Sequence, residues 1–178
     1  MPQTERKPIP AEDLLLQSVD IWKNQWFILA CGDYRTNEFN AMTVAWGSIG
    51  CMWEKPFVQI VVRPTRYTCQ FTERYDSFTL NAFPRSYRKA LQYMGTKSGR
   101  DSDKIREAGL SPVESEFIAA PGFSEAELVL ECKKIYRDDI DPARFLDPSI
   151  DSNYSENDYH RIYFGEILGI FGTSQYQK

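Results

Sequence analysis

From Met42 to Ser48 the chain alternates: Met42, Val44, Trp46 and Ser48 point one way, and Thr43, Ala45 and Gly47 point the other. That is the period-two signature of a strand. One face is bulky, and the other is stripped to small side chains, which lets a flat group approach the backbone closely. The pattern predicts a strand over Asn40–Ser48 and five more at Trp26–Cys31, Phe57–Arg63, Ser77–Phe83, Ala126–Tyr136 and Arg161–Ile170. In Ala126–Tyr136, Leu128, Leu130 and Cys132 share one face.

Helical spacing is found in three places. Leu14, Leu15, Val19 and Trp22 predict a short amphipathic helix over Ala11–Lys23. A second helix is predicted over Thr65–Arg74, and Pro84–Arg106 reads as two helical pieces broken by the polar loop Gly95–Asp101. Between these elements, Gly50–Pro56 reads as a loop carrying Trp53, Gly109–Ser124 as irregular, and Asp138–Asp158 as an acidic loop. Residues 1–10, with three prolines, read as an extended tail, and the closing GTSQYQK as loosely held. There is no internal repeat or domain boundary, so one domain is expected over 1–178 with its core at about 24–170. Strands joined by hairpins, without a βαβ rhythm, predict an antiparallel sheet or barrel.

Composition narrows the classes. The hydrophobic share of 42% is ordinary for a globular domain, and no apolar run approaches the ~18 residues of a membrane helix. The N-terminus lacks a signal pattern, so a cytoplasmic protein with no membrane partner is expected. Cys31, Cys51, Cys69 and Cys132 are widely spaced and read as buried small hydrophobes. With a single histidine they cannot build an ordinary zinc site, and no metal is expected. The net charge of −4 argues against nucleic acid as a partner. Yet Arg63–Arg106 holds ten basic and four acidic residues, which suits a small anionic ligand or an array of solvated helix faces.

That basic stretch begins where the Phe57–Arg63 strand runs into Pro64-Thr65-Arg66-Tyr67-Thr68. If Thr65 caps a helix there, a capping box would want Glu or Gln three residues on, but Thr68 stands in that place. The first-turn amides then stay available to an anion such as a phosphate. An ordinary helix start with an exposed arginine fits the same residues. Lys97, Ser98 and Lys104 belong to a Gly-containing basic loop that is either a second anion clamp or merely solvated. Trp46 serves a flat ligand or the core, and Asn81 a ligand or a neighbouring loop. Several competing motifs fail: there is no G-x-G-x-x-G and no Walker loop.

Five segments, NAMTVAWGSIG, KPFVQIVVRPTRYT, FTLNAF, GTKSGRDSDK and DYHRIYFGEI, occur in order between Asn40 and Ile167. In this they resemble the flavin reductase-like, FMN-binding split-barrel family, and within it the flavoredoxin-type branch. The resemblance implies a mainly β fold, a six-stranded antiparallel Greek-key barrel with peripheral helices. It implies FMN as cofactor, NADH or NADPH as co-substrate, a homodimer, and transfer of electrons to a flavin or protein acceptor. The alternative is a flavin-binding electron carrier without nicotinamide turnover. Carried onto this chain, the FMN contacts fall on Thr43, Ala45, Trp46, Gly47, Ser48, Arg63, Thr65, Arg66, Tyr67, Thr68, Asn81, Lys97, Ser98 and Lys104. His160 stands where the family has Gly-Asp-His facing the flavin or nicotinamide, so it is the candidate catalytic residue. Here Tyr159 separates it from Asp158 and puts its register in question.

Overall fold

Residues 4–178 are described by the computed structural model. The strands are β1 (Lys7–Pro8), β2 (Phe27–Asp33), β3 (Glu38–Val44), β4 (Gly47–Met52), β5 (Lys55–Val62), β6 (Ser77–Ala82), β7 (Pro112–Val113), β8 (Gly122–Phe123), β9 (Leu128–Asp139) and β10 (Arg161–Gly172). The helices are α1 (Ser18–Asp20), α2 (Tyr67–Arg74), α3 (Arg88–Thr96) and α4 (Lys104–Glu107).

The main sheet runs β3-β2-β6-β9-β10-β5-β4, with β1 paired to the end of β10. Every pair is antiparallel. The two edges of that path, β3 and β4, are consecutive in the chain and joined only by Ala45 and Trp46. A sheet whose edges must meet across so short a link has to curl into a barrel. The fold is therefore mainly β, an antiparallel barrel with helices outside it. The path has seven strands where six were expected, because the predicted Asn40–Ser48 strand breaks at Ala45-Trp46 into β3 and β4.

Alternation divides the core in two. Phe27, Leu29, Cys31, Met42, Val44, Val58, Ile60, Leu80, Leu128, Leu130 and Cys132 fill the barrel. Ile28, Ala30 and Ala41, one position out of phase, lie outside it under Leu91, Met94 and Ile105 of α3 and α4. Each fully buried Phe or Leu contributes roughly 1.5–3 kcal/mol, which fixes the register and so the placement of every side chain at the barrel mouth.

Elsewhere the structure departs from expectation. The predicted Ala11–Lys23 helix is a 3-10 turn at Ala11–Asp13, then α1, then a π-helical turn at Ile21–Gln25. Leu14 leaves helical geometry to bridge Gln177, and of the segment only Ile21 and Trp22 enter the core. Gly50–Pro56 is no loop: β4 and β5 form a hairpin turned at Trp53 and Glu54, both at positive φ (54° and 60°). Such a turn normally announces itself with Asn or Gly, and here nothing does.

The chain ends are tied down. Arg6 donates to the carbonyls of Phe123 and Ala126, Ile9 is buried, and Tyr176 is buried and accepts from Gln25. Residues 4–10 are therefore not a loose tail, and residues 1–3 of that expectation lie outside the described residues. Three cysteines are buried as expected, but Cys51 is exposed on β4. Tyr154, within the predicted acidic loop, is buried at 5% exposure. No helix among the described residues is long and apolar enough to cross a membrane.

Candidate functional site

The link between β3 and β4 opens a cleft of about 170 Å³, lined by Thr43, Ala45, Trp46, Val61, Arg63, Arg66 and His160. Ala45 leaves its floor low, and Trp46, 48% exposed, stands at its mouth. Thr43 lies on the outer face of the barrel, where its hydroxyl donates to the Leu91 carbonyl at 2.5 Å. A ligand at Thr43 therefore meets its methyl group while the hydroxyl holds α3.

β5 delivers the chain to α2 at the edge of this cleft. The residue before the helix is Arg66, not Thr65, and no side chain caps it. Thr65 instead donates to Asp158 at 3.2 Å. The first turn of α2 is thus left unclosed by a side chain, an arrangement that favours an anion. Thr68, buried in that turn, accepts from the Asn40 amide at 2.8 Å and retains its own O–H to donate. Arg66 donates to the Gly95 carbonyl at 3.1 Å, leaving part of its guanidinium fork free.

The loop after α3 closes over the same corner. Lys104, 4% exposed, donates to the carbonyls of Met94 and Lys97, each at 3.0 Å. Burial, and then the neighbouring charge of Arg66, lowers its pKa to about 8. Arg66 and Lys104 together satisfy carbonyls at the C-terminal end of α3, where a helix dipole favours cations. Lys97 is exposed, and the Ser98 hydroxyl accepts from the amide of Arg100. Arg100 reaches across, its guanidinium 4.9 Å from the centre of the Tyr67 ring. Gly99 packs so closely on Asn40 and Tyr67 that a Cβ there would lie 2.3 Å from the Asn40 oxygen. Arg66, Tyr67, Thr68, Lys97, Ser98 and Lys104 are therefore gathered at one corner.

On the opposite wall, Asp158 binds Arg63, whose guanidinium also donates to the Asn153 carbonyl at 2.7 Å and lies 5.0 Å from the Tyr154 ring centre. Arg63 is thus committed to the acidic loop and is not a free anion ligand. His160 packs against Trp46 with ring centres 5.2 Å apart, and its Nδ1 is 2.9 Å from the Tyr154 hydroxyl. Burial and the charges of Arg63 and then Arg66 lower its pKa to about 4, against the opposing pull of Asp158. Tyr159 donates to Asp151 at 2.7 Å and leaves the cleft to His160.

Three expected contacts do not converge. A Cβ on Gly47 would meet the Gln59 carbonyl at 2.4 Å and Trp22 at 2.5 Å, so its smallness serves the barrel wall. Ser48 pairs with the Gln59 side chain at 3.1 Å. Asn81 is wholly buried, donating to Ile28 and Thr79 beneath the Gly109–Ser124 segment. The single flat face read from the sequence does not exist as a plane, because the strand breaks between Thr43 and Gly47. Conversely, Asn40, Arg100, Tyr154 and Asp158 were not singled out as site residues, although Asp158 stands two positions before the only histidine.

A larger groove of about 720 Å³ runs along the outer side of α2, past Phe39, Tyr67, Phe71 and Tyr75. Its arginines are matched, Arg74 by Glu38 and Arg106 by Asp103. Size alone favours that groove, which Lys104 also lines, but Arg66, at the uncapped start of α2, and the histidine meet at the smaller cleft.

An antiparallel barrel with this corner at its mouth is the flavin reductase-like split barrel. A family model described as the flavin reductase like domain matches residues 23–175, and the chain belongs to that family. Among similar solved structures is an FMN-binding domain of a flavin reductases-like enzyme from Shewanella baltica OS155, at 15% identity and TM-score 0.70, covering 98% of this chain and 81% of that one. Flavoredoxin of Desulfovibrio vulgaris (Miyazaki F) matches at 23% identity and TM-score 0.65, covering 91% and 73%. An NADH:FAD oxidoreductase of Streptomyces globisporus C-1027 matches at 18% and 0.61, covering 82% and 74%. At these identities the likeness establishes the fold. No curated protein sequence matches the chain.

Proposed function

We propose that the cleft binds FMN and that the chain is a flavin reductase-like oxidoreductase using NADH or NADPH. The observation that carries this reading is the pairing of Arg66 with buried Lys104, unmatched by any carboxylate among the described residues, at the uncapped start of α2. A phosphate dianion supplies the charge that corner lacks. When bound, FMN supplies the two-electron chemistry, between a reduced pyridine nucleotide and a flavin or protein acceptor.

The chain's own residues bind and orient. Arg66, Thr68 and the first-turn amides of α2 take the phosphate, with Lys97 and Ser98 alongside. Ala45 gives the flat ring room, and Trp46 covers one side of it. His160, neutral at physiological pH, contributes a hydrogen bond and moves no proton. Arg63 and Thr65 hold the acidic loop against the cleft through Asp158.

A homodimer is part of the same reading. Trp53 (57% exposed) in the β4–β5 turn, Tyr136 (43%) on β9 and Phe164 on β10 form one aromatic cluster, a surface suited to a second copy. The functional test is anaerobic mixing of the FMN-loaded protein with NADH or NADPH. Loss of the oxidised flavin absorption supports the enzyme. A flavin that stays oxidised under both nucleotides would make the chain a carrier.

A further inference from the structure

His160 is the only histidine of the chain, and the structure engages one of its two ring nitrogens. Nδ1 lies 2.9 Å from the Tyr154 hydroxyl, with the rings edge to face at 78°. Trp46 packs on the ring at a centroid distance of 5.2 Å, so the imidazole is held on two sides. Among the described residues no side chain partners Nε2.

A neutral imidazole carries one donor and one acceptor, and the partner of the first nitrogen decides which is which. A phenol is a stronger acid than a neutral imidazole N–H, and an imidazole nitrogen is a stronger base than a phenol oxygen. The favoured arrangement is therefore O–H···Nδ1, which leaves the proton on Nε2. Arg63, 5.0 Å from the Tyr154 ring centre, reinforces it, because a cation over the ring makes the phenol a better donor. The cationic groups around the imidazole help to keep it neutral. Arg63 from β5 and Arg66 from the start of α2 oppose its protonation, and Asp158, which favours it, is already bound to Arg63.

We propose that Tyr154 is a positioning residue: it fixes His160 as the Nε2–H tautomer, so that the cleft presents one neutral donor to a carbonyl oxygen or ring nitrogen of a flat ligand. The tautomer follows from the contacts alone, and its use by a flavin rests on the function proposed above. Tyr154 thereby links the acidic loop to the ring end of the site, away from the phosphate corner.

The single histidine makes the test direct. With ¹⁵N-histidine incorporated, a long-range ¹H–¹⁵N correlation at neutral pH shows one ring, and its pattern reads the tautomer. The expected wild-type result is Nε2–H alone, with Tyr154→Phe giving a mixed or inverted pattern while circular dichroism stays native. Addition of FMN is expected to move Nε2 more than Nδ1, and Tyr154→Phe to weaken FMN and riboflavin alike, by about three- to tenfold. A wild-type Nδ1–H pattern would overturn the proposal even if the variant failed to fold. So would a folded Tyr154→Phe protein with an unchanged spectrum. If FMN does not bind at all, the functional reading fails while the tautomer result still stands.

Discussion

Lys104 lies buried beside Arg66, and each donates to a carbonyl at the end of α3 in place of a carboxylate. Burial, and then the like charge of Arg66, disfavours the charged amine, visible in the lowered pKa of Lys104. A bound phosphate would reverse that cost. The arrangement makes the phosphate end of the site the part most open to measurement.

Lys104 should make FMN binding depend on pH. In the free protein its pKa is about 8, set by burial and Arg66. A phosphate dianion favours the charged amine and raises that value, so binding takes up a proton near pH 8. Affinity is expected to be level between about pH 7 and pH 8, above the second phosphate pKa of about 6, and to fall as pH rises through 8, by up to about tenfold per unit. Titrations across that range check this. Lys104→Met should bind more weakly and lose the dependence.

Replacing Gly47 with valine is expected to damage the barrel before it damages ligand binding. The new Cβ would press on the Gln59 carbonyl and Trp22, and overpacking of this kind costs about 1–3 kcal/mol. Thermal unfolding of Gly47→Val measures it. A variant with unchanged Tm would contradict the packing at this position.

His160 should lower stability in mild acid. Its folded pKa, near 4, lies below the ordinary 6.5, so as pH falls below 6.5 the unfolded chain takes up a proton that the folded one refuses. Stability is lost between those values, on the order of 2 kcal/mol, the full shift being reduced by the partial access of solvent to the ring. His160→Gln should flatten this part of the curve in chemical denaturation at successive pH values.

Much of the fold was legible in the sequence. Leu128, Leu130 and Cys132 alternate cleanly because one face of β9 fills the barrel. The break at Ala45-Trp46 was not legible, since the period-two pattern runs straight through it and only the closure of the sheet imposes it. Gly47 was read as ligand clearance because its occupant, Trp22, lies far away in sequence. The register of His160, doubtful beside Tyr159, is settled by a bond from Tyr159 to Asp151 that no spacing rule anticipates. Arg63 and Arg66 look equivalent as residues, and only the fold, by bringing Asp158 to one of them, tells them apart.

The central claim is that Arg66 and the start of α2 hold a phosphate, and the most direct measurement compares FMN with riboflavin on wild-type protein and Arg66→Ala. Flavin fluorescence titration gives both affinities. Wild type is expected to bind FMN more tightly than riboflavin, and Arg66→Ala to weaken FMN by about 1.5–3 kcal/mol while leaving riboflavin nearly unchanged. Equal weakening of both ligands, or a wild-type protein indifferent to the phosphate, would contradict it.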